Sequence, residues 1–388
     1  MQGTYIPRSL ERDVRRGLDE FPAVAVLGPR QCGKSTLAKH LIESYPHSIY
    51  LDLERPSDER KLTDPELFFE HYRDSLVCLD EIQRKPEIFT VLRNVIDERK
   101  RPGQFLILGS ASGDLLRQSS ESLAGRIAHL ELAPFGMGEI PNLKLNTLWL
   151  RGGFPSALLA KDDYASFRWR QNFVRTFLER DIPQLGIRIP AASIERLWRM
   201  CAHYHSHVLN LSAIGSSLGI THHTARSYID LLSKTFMLRL LPPYESNAKK
   251  RLVKSPKLYI RDSGLLHTLL GLREYDDLLA HPVFGGSWEG FAIENLVACL
   301  SDWNPSFYRT SAGAELDLVL ERGRHKIAIE CKASSSPEVT KGFWYALDDI
   351  RPDEAWIVAP VRDTYPLKKG VKVTSLGEII LHLKRQFL

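Results

Sequence analysis

Two hydrophobic rhythms divide the chain. In its first third, short unbroken apolar runs alternate with apolar positions spaced three and four apart. Val24-Ala25-Val26-Leu27, Ile49-Tyr50-Leu51, Leu76-Val77-Cys78-Leu79 and Phe105-Leu106-Ile107-Leu108 read as strands buried on both faces. Leu10, Val14 and Leu18 before the first run, and Leu37, Ala38, Leu41 and Ile42 after it, read as helices with one apolar face. Strands and helices alternating in this way predict an α/β fold. Phe167 to Ile182 is helical throughout, with Trp169, Phe173, Val174, Phe177 and Leu178 on a core-facing stripe. Leu211 to Leu232 predicts two helices broken at Gly219, with Thr221 as N-cap and Ala225, Tyr228, Ile229 and Leu232 turned inward. Beyond residue 300 the period falls to two. Phe307–Thr310, Ala314–Leu320 and Lys326–Lys332 are expected strands, Trp356–Pro360 and Val371–Val373 shorter ones, and Leu376 to Leu383 a closing amphipathic helix.

Length turns this pattern into domains. A chain of 388 residues exceeds one compact core. The shifts in period suggest three parts, at 1–140, 141–270 and 271–388. Apolar and charged fractions of 43% and 26% are ordinary for a globular protein. The N-terminus carries no apolar secretory core, and no apolar run reaches the length of a membrane span. Cys32, Cys78, Cys201, Cys299 and Cys331 are scattered without a Cys-x-x-Cys pair, which suits a reducing cytoplasm. His203, His205 and His207 would share one face of a strand. No further ligand completes a metal site there, and they read as helix-end residues.

Candidate chemistry concentrates first at Gly28-Pro29-Arg30-Gln31-Cys32-Gly33-Lys34-Ser35-Thr36, which fits G-x-x-x-x-G-K-[ST] between a strand and a helix. Polyphosphate needs many inward N–H donors, so the chain must approach it closely, and glycines permit that. The helix N-terminus adds partial positive charge. Lys34 can reach terminal phosphates and Ser35 can hold Mg²⁺, so ATP and Mg²⁺ are the expected cofactors. Asp80 and Glu81 end the third apolar run, placing one acid for the metal and one as general base toward water. In additional-strand P-loop ATPases, a strand between these two elements ends in a polar residue that touches the γ-phosphate. Ser110 is the candidate, with Ser112 second. Arg126, with Arg117 behind it, is the candidate arginine for transition-state charge, acting across a subunit boundary or serving only as a surface salt bridge.

Two further constellations follow. The helix pair at 211–232 is a helix-turn-helix, which would offer His222, His223, Arg226 and Ser227 to a groove. From 239 to 261 seven basic residues (Arg239, Lys249, Lys250, Arg251, Lys254, Lys257, Arg261) face Glu245 alone, although the whole chain carries only +5. That is the footprint of contact with a DNA backbone; such winged modules also dock proteins or serve as ATPase lids. In the last part, Asp317 and the Glu330-x-Lys332 group fall on neighbouring strands after a helix bearing Glu294. Asp317, Glu330 and the Cys331 carbonyl would hold Mg²⁺, and Lys332 would position water. The alternative is an acid–lysine group that only pairs electrostatically.

Gly-Pro-Arg-Gln-Cys-Gly-Lys-Ser, Leu-Asp-Glu-Ile-Gln, Leu-Gly-Ser-Ala-Ser and Ser-Leu-Ala-Gly-Arg, in that order, resemble the prokaryotic AAA-type, archaeal-ATPase-like family. Gly152-Gly153-Phe154-Pro155 and Lys257-Leu258-Tyr259-Ile260-Arg261-Asp262-Ser263-Gly264-Leu265 extend the likeness over nearly the whole chain. Asp317 with Glu330-x-Lys332, and Glu294 on the preceding helix, resembles the PD-(D/E)XK nuclease core, although no proline precedes Asp317. The resemblance implies a P-loop ATPase domain, a helical lid with a winged helix, and a restriction-endonuclease-like domain. It further implies a homo-oligomer, with a ring of six the family's type, that couples ATP hydrolysis to duplex or branched DNA. A nucleotide-switched scaffold that binds protein and cuts nothing is the other expectation.

Overall fold

The computed structural model describes residues 5–109, 122–140, 143–184, 189–245, 252–368 and 370–387. They form two compact units: Met1–Phe135 with Lys234–Phe236, and Gly136–Ser233 with Met237–Leu388.

The first unit is built on β1 (Ala23–Leu27), β2 (Ile49–Asp52), β3 (Val77–Asp80), β4 (Phe105–Gly109) and β5 (Ile127–Glu131). Among the described residues these make one sheet, in the order β2-β3-β4-β1-β5, with every pairing parallel. Each residue of β1 is buried, because helices cover both faces. Val24 and Val26 pack with Val14, Leu18, Leu37 and Leu41 on one side. Ala23, Ala25 and Leu27 pack with Phe89, Leu92 and Ile96 on the other. β4 separates β1 from β3, the arrangement expected for an additional-strand ATPase.

In the second unit, the helix Asp163–Thr176 continues through a π-helical turn at Phe177–Asp181. Phe173, Phe177 and Trp198 meet in its core. The helices Leu211–Leu218 and His222–Lys234 are joined through Gly219 in the left-handed region, and Thr221 Oγ1 accepts the Thr224 N–H at 3.1 Å. Around them β6 (His207–Val208), β7 (Leu238–Leu241) and β8 (Lys257–Ile260) form an antiparallel sheet in the order β6-β8-β7. The three histidines separate: His203 and His207 are exposed. His205 is buried, bonding the Ile260 N–H and the Gly286 carbonyl, and burial pushes its pKa down to about 3.

The last sheet contains β9 (Asn304–Arg309), β10 (Glu315–Arg322), β11 (His325–Cys331), β12 (Glu354–Val358), β13 (Tyr365–Lys368) and β14 (Val371–Thr374), in the order β13-β14-β12-β11-β10-β9. Its β9 edge is paired. Pro243 and Leu252, either side of the 246–251 segment, bridge to Phe307 and Thr310.

The two extended family motifs meet in this unit. Asp262 accepts the Gly153 N–H at 2.8 Å and, as N-cap of Ser263–Leu269, the Leu265 N–H at 2.8 Å. Arg170, fully buried, donates to the Gly264 carbonyl at 2.6 Å. A β-carbon on Gly264 would stand 2.1 Å from the Arg151 carbonyl oxygen, so glycine is required for the close approach. These motifs are therefore a packing junction. Gly264→Ala should lower stability by about 1–3 kcal/mol, read as a fall in denaturation midpoint. Gly285→Ala, at an exposed helical position with open space around it, should leave the midpoint unchanged or raise it.

Candidate functional site

The loop Gly28–Gly33 leaves the carboxyl end of β1 and enters the helix Lys34–Ile42. A β-carbon on Gly28 would lie 2.3 Å from the Leu132 carbonyl oxygen, because the chain leaving β5 crosses directly behind it. The Leu132 N–H bonds the Leu27 carbonyl at 2.7 Å, and Cys32 Sγ donates to the Leu132 carbonyl at 3.4 Å. Gly33 takes φ 103° and caps the helix without a side chain, so no side-chain acceptor competes for the first-turn N–H groups. The front of the loop is thus backbone, as an anion cradle requires.

Lys34 is 5% exposed, and its Nζ donates to the Gly28 and Pro29 carbonyls at 3.0 and 2.8 Å. An ammonium held on carbonyls inside the loop fits a polyphosphate ligand, which offers stronger acceptors at the same place. Arg8 clasps the loop from behind. It is 7% exposed, donates to the Cys32 carbonyl at 2.9 Å and the Ala133 carbonyl at 2.6 Å, and lies over the Phe135 ring.

Because β3 runs parallel to β1 with β4 between them, Asp80 emerges at the same end of the sheet as the loop. It is 3% exposed. Its Oδ1 accepts the Glu81 N–H at 2.9 Å, and its Oδ2 accepts the Tyr50 hydroxyl. Glu81 adopts φ 57°, unusual for a side-chain-bearing residue, which turns the chain sharply after the strand. Gln83 Nε2 donates to the Glu81 carboxylate. Burial raises the Glu81 pKa above its ordinary value, against the opposing field of Lys34. Ser35 and Asp80 could hold Mg²⁺, and Glu81 could serve as a base. Magnesium would neutralise phosphate charge as it develops.

Arg126 stands elsewhere. It precedes β5 at the end remote from the loop, and its guanidinium is paired with Asp97 at 2.5 and 2.9 Å. It cannot reach a nucleotide in its own chain. Ser110, Ser112 and Arg117 lie outside the described residues.

A family model described as an AAA domain matches residues 20–141, and two domains of unknown function match 142–276 and 284–379. The uncharacterized proteins Mb2031c of Mycobacterium bovis and Rv2008c of Mycobacterium tuberculosis are each 41% identical over 368 residues, 95% of this chain and 83% of theirs. The chain belongs to their family, and its first part matches an AAA domain. A solved Walker-type ATPase of Pyrococcus abyssi, PABY2304, aligns with 69% of this chain and 96% of its own at 16% identity and TM-score 0.46.

The second unit corrects two expectations. Glu294 does not join Asp317 and Glu330. Its carboxylate is shared by Arg239 and by Arg261, whose Nε lies 3.0 Å away, and these guanidiniums hold its pKa below the usual carboxylate range. The acid that the same helix brings to Asp317 is Glu289. Between them stands Lys257, 1% exposed, with Nζ 3.0 Å from Glu289, 2.8 Å from Glu315 and 3.2 Å from Asp317. Asp317 Oδ2 accepts the Cys331 N–H at 3.0 Å, and Glu330 pairs with Lys332 at 2.8 Å. Burial, reinforced by the Asp317 charge, raises the pKa of Glu289 and of Glu330. Among the described residues no three Asp, Glu, His or Cys side chains are arranged to hold a metal. Of the three carboxylates expected to bind Mg²⁺, Asp317 faces the Lys257 ammonium, Glu330 pairs with Lys332, and Glu294 is held by arginines.

The basic stretch changes accordingly. Arg239, Lys257 and Arg261 are committed to these internal ion pairs. Lys254 is exposed, and Lys249, Lys250 and Arg251 lie outside the described residues. On the helix His222–Lys234, His222, His223, Arg226 and Ser227 are exposed while Ala225, Ile229 and Leu232 are buried; Arg226 pairs with Asp230 at 3.1 Å.

Glu81→Gln should cut ATP turnover by ~10²-fold or more while nucleotide affinity is retained. In the unaltered protein the rate should rise with pH through the raised Glu81 pKa, placing the acid limb above the ordinary carboxylate range. Glu294→Gln should cost about 1.5–3 kcal/mol. Because the folded pKa of Glu294 is depressed, its contribution is complete above the unfolded carboxylate pKa. It is lost as pH falls through the folded value, so the variant's denaturation midpoint should respond less to acid.

Proposed function

We propose that this AAA-type ATPase couples ATP hydrolysis to binding or remodelling DNA, duplex or branched, and that its C-terminal domain recognises without cutting. Gly28 to Thr36 bind ATP, Ser35 and Asp80 hold Mg²⁺, and Glu81 activates water. The observation carrying the DNA reading is the outward row His222, His223, Arg226 and Ser227 on the second of two helices joined at a glycine turn. Those helices are followed by a β7–β8 hairpin whose connecting arm carries Lys249, Lys250, Arg251 and Lys254. That order of elements supports a winged helix. Arg226 is the row's one permanent cation, so backbone contact rather than base reading is expected.

The nuclease-like reading of the last domain is supported by Asp317, Glu330 and Lys332 on adjacent strands. Lys257 argues against cleavage, because it supplies the positive charge in the place of a catalytic cation. Should Arg126 serve a neighbouring subunit, as in a ring, it must exchange Asp97 for that subunit's phosphate. The second reading, a nucleotide-switched scaffold for a protein partner, is favoured by the withdrawal of three cations into internal pairs.

ATP turnover measured with single-stranded, duplex, forked and four-way DNA separates the readings. Stimulation that is lost in Lys34→Ala and Glu81→Gln, and weakened in a His222→Ala/His223→Ala/Arg226→Ala variant, is expected of the first. Slow turnover indifferent to every DNA, with no affinity for any, establishes the second. With Mg²⁺ or Mn²⁺ the DNA should remain intact; products that disappear in Asp317→Ala and Lys332→Ala would restore the nuclease.

A further inference from the structure

Tyr50 stands where the metal-binding groups converge. It lies on β2 opposite Cys78 of β3, with Asp52 opposite Asp80, so Tyr50 and Asp80 share one face of the sheet on adjacent strands. Its hydroxyl donates to Asp80 Oδ2 and lies beside the Ser35 side chain. Lys39, on the helix that Lys34 begins, holds its ammonium 4.8 Å from the centre of the Tyr50 ring. Asp80 Oδ1 is taken by the Glu81 N–H. Both carboxylate oxygens are therefore engaged, one of them by a tyrosine oxygen that stands beside Ser35.

Those are the two residues that would share Mg²⁺ in the proposed site, on which this inference rests. Magnesium takes oxygen ligands at about 2.0–2.1 Å in a tight octahedron. A phenol bonded to Asp80 and lying beside Ser35 competes for the same space and for a carboxylate lone pair. We infer that Tyr50 is a positioning residue that fills the metal position between Ser35 and Asp80 and must withdraw before Mg²⁺ enters. It keeps the acid in place without the ion, and it sets the Mg²⁺ concentration at which nucleotide is held tightly. A hydrogen bond to a carboxylate is strong enough to shift that threshold by roughly ten-fold or more.

Tyr50→Phe removes the hydroxyl and keeps the ring that Lys39 covers. Binding of a fluorescent ADP is titrated in EDTA and then across a range of Mg²⁺, with Lys34→Ala as the control for the site. The expected result is unchanged affinity in EDTA and a Mg²⁺ midpoint roughly ten-fold lower in Tyr50→Phe. An unchanged or higher midpoint overturns the inference. If the unaltered protein binds no nucleotide at any Mg²⁺ concentration, the site itself is wrong. A second measurement is independent of how the variant folds. In protein labelled with 3-fluorotyrosine, the Tyr50 resonance, assigned by its loss in Tyr50→Phe, should move with Mg²⁺ and ADP together and stay in place with ADP alone. A resonance indifferent to Mg²⁺ also overturns the inference.

Discussion

The parallel alignment of β1, β4 and β3 is the constraint on which the nucleotide site depends. Parallel strands deliver their carboxyl ends to one edge, so residues far apart in the chain arrive together. Gly33 and Lys34 come off one strand, and Asp80 and Glu81 off another two positions across. The loop's shape is then fixed from behind. The Leu132 carbonyl excludes any side chain at Gly28, and Arg8 fastens the Cys32 carbonyl to the Ala133 carbonyl. What remains to meet a nucleotide is backbone N–H, with Lys34, Ser35, Asp80 and Glu81 gathered at the same end of the sheet.

Much of that site was legible in the chain, because fixed spacing and unbroken apolar runs encode strand, loop and helix directly. The strands at Val24, Leu51, Val77 and Phe105 followed from patterns within a dozen residues, and the inserted place of β4 from the likeness to additional-strand ATPases. Arg8 and Tyr50 could not be found that way. Each acts through a contact spanning 24 or more positions, and an arginine before a helix or a tyrosine within a strand has ordinary explanations. A tyrosine two residues before an aspartate on a strand that flanks the acid strand is the trace Tyr50 leaves.

The second unit was harder to read for a definite reason. Glu289 and Glu294 lie on one helix five residues apart, well over a hundred degrees around its axis. Which of them meets Asp317 depends on partners in other elements. Arg239 and Arg261 draw Glu294 away, and Lys257 draws Glu289 in. The same residues distorted the charge count. Lys257, Tyr259 and Arg261 alternate along β8 and beyond it, so they share a face, and Arg239 pairs opposite Tyr259. Summing cations along the chain gave a surface patch; the strand period, applied at that point, separates the inward charges from the outward ones.

Lys257 has one more consequence. A counter-ion joined to the backbone cannot be chelated, exchanged for another species or diluted away. The acidic centre formed by Glu289, Glu315 and Asp317 therefore keeps its neutralising charge whatever the cell's supply of divalent ions. The fold around it is correspondingly independent of metal loading, whereas the Mg²⁺ proposed for the nucleotide site would have to come from that supply.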